Sequence, residues 1–284
     1  MTTTPSDHPG DPLDPSRVSP CPILRDELKQ RVIALKLYGL LVHWDALSES
    51  DLAWVQQLAA WEEVERKRRG LERRLGAAHI GRFKPLSDFD WGWPAQCDQA
   101  AVSELMTLGF IKEAANIILV GPNGVGKSMI AQNIAHYAVM QGHSALFINA
   151  AQMLGDLAAQ DGDNALRRRL KHYARPGVLV IDEVGYLSYS NRHADLLFDI
   201  VNRRYELKPT IVTTNRPFAE WGEVFPNAAC VVSIVDRLVH HSEIMVIEGG
   251  SYRMREAKER AAKKKKTVKS RRKPSNHTAS KQPA

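Results

Sequence analysis

The chain has 284 residues, a formal net charge of +7, 44% hydrophobic and 25% charged residues, which is length enough for one or two domains with a real core. No apolar run approaches the roughly 20 residues of a membrane helix, and the Pro-, Asp- and Ser-rich start from Met1 to Pro22 lacks the apolar centre of a secretory signal. Cys21, Cys97 and Cys230 are scattered and show no C-x-x-C spacing, which argues against a disulfide framework or a zinc site and for a reducing cytoplasm.

In chain order, residues 1–22 are expected to be disordered, because Pro and Gly dominate and little can be buried. A small all-α domain is predicted over 23–80. Its first helix runs from Ile23 to about Tyr38, and a longer one starts near Ser48 or Ser50 and runs to about Leu75. The later part of the second helix is densely basic (Arg66, Lys67, Arg68, Arg69, Arg73, Arg74), either a solvated face or a contact to phosphate or a partner. Residues 79–98 carry helix breakers (Gly81, Pro85, Gly92, Pro94) beside Phe89, Trp91 and Trp93, as suits an extended segment packed on the domain that follows.

That domain is predicted over 81–254. After a helix over 99–108, strands at 116–120, 144–148, 178–181, 210–214 and 244–247 alternate with helices at 128–141, 151–159, 164–174, 191–205 and 231–240. Such alternation implies an α/β domain with a parallel sheet and its ligand at the carboxyl ends of the strands. The remaining 255–284 form a basic tail expected to be disordered; its twelve Lys and Arg against Glu256 and Glu259 give +10 and leave the rest of the chain at −3. Any nucleic-acid surface on the folded body is therefore a local patch.

The first strand, Ile117-Ile118-Leu119-Val120, runs into Gly121-Pro122-Asn123-Gly124-Val125-Gly126-Lys127-Ser128, which fits the phosphate-binding pattern G-x-x-x-x-G-K-[ST]. Glycines let backbone N–H groups approach phosphate oxygens, and the following helix points its positive dipole end at them. Lys127 supplies a charge for the β- and γ-phosphates of ATP, and the Ser128 hydroxyl is a ligand for Mg²⁺. Asp182 and Glu183 end an all-apolar strand, placing Asp182 to hold the metal and Glu183 to polarise the water that attacks the γ-phosphate. Asn215 follows the next strand, where it can orient that water or simply form a turn. Arg237 sits in an apolar helix, either completing a neighbouring subunit's site or pairing with Asp236 or Glu243.

Four segments occur in a characteristic order: the phosphate loop, V-L-V-I-D-E-V-G-Y over 178–186, T-T-N-R-P-F-A-E-W over 213–221, and D-R-L-V-H-H over 236–241 followed by E-G-G-S-Y-R over 248–253. Together they resemble the IstB family, the AAA+ ATPase helpers encoded beside IstA transposases of bacterial insertion sequences and relatives of DnaC-type helicase loaders. The resemblance covers roughly 24–256. It implies an initiator-type AAA+ domain that assembles as a homo-oligomer on double-stranded DNA when ATP binds, with an IstA-like transposase as partner. It also implies Asn215 as first sensor and Arg237 as an arginine finger acting in trans. The helices at 151–174 become an oligomer-shaping element, with Arg167, Arg168, Arg169 and Lys171 as candidate DNA contacts, and Arg253 becomes a candidate second nucleotide sensor. Thr213-Thr214 stands where Thr-Ser is usual in the family, and Met129 where His is common. The alternatives are a replicative helicase loader, which an N-terminal module without a cysteine cluster does not favour, and a small-molecule kinase, which leaves Arg237 and the tail without a role.

Overall fold

The computed structural model describes residues 25–186 and 189–271, with side chains to 261. The segment 1–22 and the end of the tail, both expected to be disordered, lie outside the described residues. The chain divides into two compact units at Gly70/Leu71, rather than at residue 80.

The first unit holds α1 (Arg25–Ala34), α2 (Tyr38–Val42) and most of α3 (Glu49–Ala78). The single early helix predicted from the sequence breaks at Lys36, whose φ is +56°. A small core of Leu28, Val32, Leu35, Trp44, Leu52, Val55 and Ala59 ties the helices together, and Arg31 pairs with Glu63 of α3 (Nε–Oε1 2.8 Å). The basic half of α3 is partly neutralised on its own helix. Arg66 pairs with Glu62, and Arg68 and Arg69 both pair with Glu65, whose carboxyl is lowered to about 2 by these guanidinium groups.

The second unit carries α4 (Gln99–Leu105), α5 (Gly109–Lys112), β1 (Asn116–Val120), α6 (Lys127–Met140), β2 (Ala145–Asn149), α7 (Ala150–Ala158), α8 (Asp163–Ala174), β3 (Val178–Val184), α9 (Asn191–Arg204), β4 (Thr210–Thr214), α10 (Trp221–Val224), α11 (Ala228–His240), β5 (Ser242–Val246) and α12 (Tyr252–Arg271). The five strands are all parallel in the order β2-β3-β4-β1-β5. Successive side chains of a strand point to opposite faces, and both faces here are covered. Ile117, Leu119, Val178 and Val180 join the core under α4–α6, whereas Ile118, Leu179 and Ile181 join the one under α7, α9 and α11. Near-continuous apolar strands are the sequence mark of such burial.

The segment before α4 is extended and packed, as its aromatics imply. Ile80 and Phe89 are buried, and Gln96 forms an antiparallel bridge to Glu248. The expectation of disorder from residue 255 is corrected: α12 continues to Arg271. Its Ala, Lys, Arg and Glu residues are strong helix formers, and i,i+4 pairs Arg255–Glu259 (2.8 Å) and Glu256–Arg260 (3.5 Å) reinforce it.

One buried cation locks the end of the sheet remote from the phosphate loop. Arg204 is 1% exposed and donates to the carbonyls of Ala174, Pro176, Gly177 and Pro209 and to Thr210 Oγ1. Burial pulls its pKa down to about 9, so it remains charged at neutral pH. Replacing it by Ala leaves several buried carbonyls unpaired, and we expect a loss of at least about 3 kcal/mol in urea denaturation, with Arg204→Lys recovering only part. A shift within about 1 kcal/mol, the range of an ordinary substitution, would contradict this role.

Candidate nucleotide-binding site

β1 ends at Val120 and the chain turns through Gly121 to Gly126 before α6 begins at Lys127. Gly124 (φ +84°) and Gly126 (φ +110°) hold left-handed backbone, which side chains rarely adopt. At Gly126 a Cβ would also collide with the Phe89 ring, so the preceding segment forms the floor of the loop. Lys127 is 7% exposed, and its Nζ donates to the carbonyls of Gly121 (2.6 Å) and Pro122 (2.8 Å). Burial holds its pKa below the ordinary lysine value; Asp182 and Glu183 oppose that shift and Arg253 adds to it.

The ends of β3 and β4 meet the loop. Asp182 Oδ1 accepts hydrogen bonds from Ser128 Oγ (2.8 Å) and Thr213 Oγ1 (2.6 Å). Thr213 Oγ1 in turn accepts the N–H of Glu183 (2.9 Å). Here β3 slips against β4 between Ile181 and Val184, and Glu183 takes φ +61°, a strained backbone that the surrounding bonds must hold. The Glu183 carboxylate accepts from Asn149 Nδ2 (2.9 Å), while Asn149 Oδ1 caps α7 by accepting the N–H of Ala151 (2.9 Å). Asn215 lines the same cavity, and its Oδ1 is buried with no hydrogen-bond partner among the described residues. An acceptor of this kind suits a water or polar ligand group placed before Glu183.

The cavity, about 580 Å³, is lined by Asn123–Ser128, by Glu183, Tyr186 and Asn215, and by the rings of Phe89, Trp93 and Tyr252, so that polar donors and aromatic rings share one pocket. Size and lining suit a nucleoside triphosphate. The paired oxygens of Ser128 and Asp182 form a hard donor set that fits Mg²⁺, which when bound neutralises charge on the β- and γ-phosphate oxygens.

Arg237 does not line this cavity. Its guanidinium lies over the Phe198 ring (4.6 Å) and near Tyr205 (6.0 Å), and it makes no ion pair to Asp236 or Glu243 among the described residues. Arg253 does line the cavity. On α8, Arg167, Arg168 and Lys171 are exposed. Arg169 is instead engaged by Asp156, which also accepts from Tyr173 Oη (2.6 Å); burial and that carboxylate push the Tyr173 phenol up to about 12.

Sequence patterning alone did not single out Asn149 or assign a role to Thr213. Both stand at strand ends beside the Asp-Glu pair, Asn149 opposite Asp182 in register, and that pairing is visible only once the strand order is known.

Fold and site define an ATP-binding protein with a phosphate-binding loop at the carboxyl ends of a parallel sheet. The AMPPCP-bound DnaA from Aquifex aeolicus shares its fold at a TM-score of 0.51 and 20% identity, over 65% of this chain and 56% of that one. The crystal structure of DnaI matches at 0.50 and 20%, over 61% and 91%. Residues 29–261 match the family of IstB-like ATP binding proteins, and the chain belongs to that family. It is 36% identical over 249 residues to the ATP-binding protein of insertion sequence IS21 from Pseudomonas aeruginosa, covering 85% of this chain and 94% of the relative. To that of IS5376 from Geobacillus stearothermophilus it is 32% identical, covering 85% and 99%.

Two outcomes follow from this geometry. Thr213→Val keeps the shape but removes both bonds around Asp182 and Glu183, and should weaken Mg²⁺-dependent nucleotide binding about 10- to 100-fold, measured by titration with and without the metal. Polyphosphate favours the charged form of Lys127, whose pKa is lowered in the folded chain. Affinity should therefore be full below that lowered pKa and fall as pH rises through it, before an ordinary lysine titrates; affinity that stays constant up to pH 10.5 would contradict the burial.

Proposed function

We propose that the chain is an ATP-dependent, DNA-binding helper of transposition. It assembles on duplex DNA when ATP binds, recruits or stimulates the transposase encoded beside it, and resets by hydrolysing ATP to ADP and phosphate. The observation that carries this reading is the split of the catalytic set. Lys127, Asp182, Glu183 and Asn215 gather at one cavity, while Arg237, the cation suited to the γ-phosphate, lies outside that cavity against the Phe198 ring. A site whose arginine comes from a neighbour is completed only by assembly.

In this reading Lys127 binds the β- and γ-phosphates, and Asn215 orients a water that Glu183 polarises. The water oxygen forms a bond to the γ-phosphorus as the bond to the ADP oxygen breaks, and the proton leaves through Glu183. Release of the carboxylate from Asn149 precedes that step. Arg167, Arg168 and Lys171 are the candidate DNA contacts on the folded body. The transposase as partner is supported by the insertion-sequence origin of the relatives, and a cytoplasmic, nucleoid-associated location goes with it.

Sedimentation of the full chain should show large species only with ATP and duplex DNA together; the same monomer under every condition would overturn the assembly reading. Glu183→Gln should keep ATP binding, lower turnover by at least about 100-fold and trap the DNA-bound species.

A further inference from the structure

Every residue of the segment Glu248-Gly249-Gly250-Ser251-Tyr252-Arg253 is fastened to the phosphate loop, to the cavity or to the packed segment before α4. Glu248 N–H bonds to Gln96 O (2.9 Å), Trp93 Nε1–H to Gly250 O (2.8 Å), and Tyr252 N–H to Gly124 O in the phosphate loop (3.0 Å). Gly249 lies against the backbone of Pro94 and Ala95, and the Ser251 side chain fills the space beside Gly124. Arg253 lines the cavity. From this root α12 rises along the cavity wall. Arg255 stacks on Trp93 (4.5 Å) and pairs with Asp90 (2.9 Å), and Lys84 pairs with Glu256 (2.8 Å).

The same helix carries Lys263 to Lys266, Lys269 and Arg271. At 1.5 Å per residue, Lys266 lies about 20 Å along the rod from Tyr252. One continuous helix therefore joins the wall of the nucleotide cavity to the densest run of positive charge in the chain.

We propose that α12 is a nucleic-acid-binding arm set by the nucleotide: polyphosphate in the cavity and duplex DNA on Lys263–Lys266 favour the same clasped position of the helix, and each tightens the binding of the other. The inference rests on the ATP- and DNA-binding reading above. Arg253 and Lys127 both line the cavity, and an anion between them attracts both toward the loop. The one acidic group that faces the anion from α12, Glu256, is neutralised by Lys84 and Arg260. At the far end, phosphates of DNA exchange condensed counterions for the lysine run. Binding at two ends of one element is linked reciprocally.

The test measures affinity for a fluorescent ATP analogue on the full chain, with and without duplex DNA, at low and moderate salt. Wild type should bind the nucleotide about 5-fold or more tightly with DNA, less so as salt rises. The quadruple variant K263Q/K264Q/K265Q/K266Q, and separately Arg255→Ala, which opens the clasp but keeps the lysines, should each lose most of that tightening. The quadruple change is confined to the far part of α12, so it remains decisive if Arg255→Ala impairs folding. Full tightening in the quadruple variant, or wild type that binds DNA with no change in nucleotide affinity, overturns the arm. If that happens while ATP-dependent assembly on DNA persists, only this inference fails; if the full chain binds no DNA in any nucleotide state, the proposed function fails with it.

Discussion

The site depends on one shared oxygen. Asp182 Oδ1 receives Ser128 from the start of α6 and Thr213 from β4, so a single carboxylate ties the phosphate loop to two strand ends. A carboxylate with hydrogen bonds from hydroxyl groups keeps its orientation at little entropic cost. Thr213 extends the tie to the backbone of Glu183, and Asn149 extends it to the Glu183 side chain and the cap of α7. Four elements therefore register against the position of one atom. The β3/β4 slip at Asp182–Glu183 belongs to the same arrangement, because a regular ladder would direct the two carboxylates to opposite faces of the sheet.

Much of this was legible in the residues. The five strands could be placed because each is a short apolar run of the kind a doubly covered parallel sheet requires. Lys127, Ser128, Asp182, Glu183 and Asn215 could be named because strand–loop–helix grammar puts them at one end of that sheet, and the structure brings all five to one place. Asn149 was not legible, since an Asn before a helix reads first as a cap, and it is one; its second bond depends on β2 lying next to β3. Arg169 stands with its neighbours as a candidate DNA contact in the sequence, and its engagement with Asp156 requires knowing that α7 and α8 pack together. Helix α12 was missed because lysine-rich composition resembles a solvated tail, whereas its first turns are anchored through Tyr252 and Arg255.

The cavity also combines two chemistries. Backbone donors and Lys127 of the phosphate loop line it together with Phe89, Trp93 and Tyr252, drawn from segments before and after the sheet. The chain on both sides of the five strands is thus needed to close the pocket, which explains why the packed stretch over 79–98 cannot behave as a linker. Arg255 held between an aromatic ring and Asp90 gives this closure a charged as well as an apolar component.

Glu183 holds its carboxylate on left-handed backbone, a conformation that costs a residue with a side chain on the order of 1 kcal/mol or more. The domain therefore surrenders folding stability at a carboxylate that lines its nucleotide cavity. A glycine at that position would relax the backbone but forfeit the bond from Asn149, the residue that also caps α7. Strain in one backbone torsion is thus set against a side-chain tie between neighbouring strands.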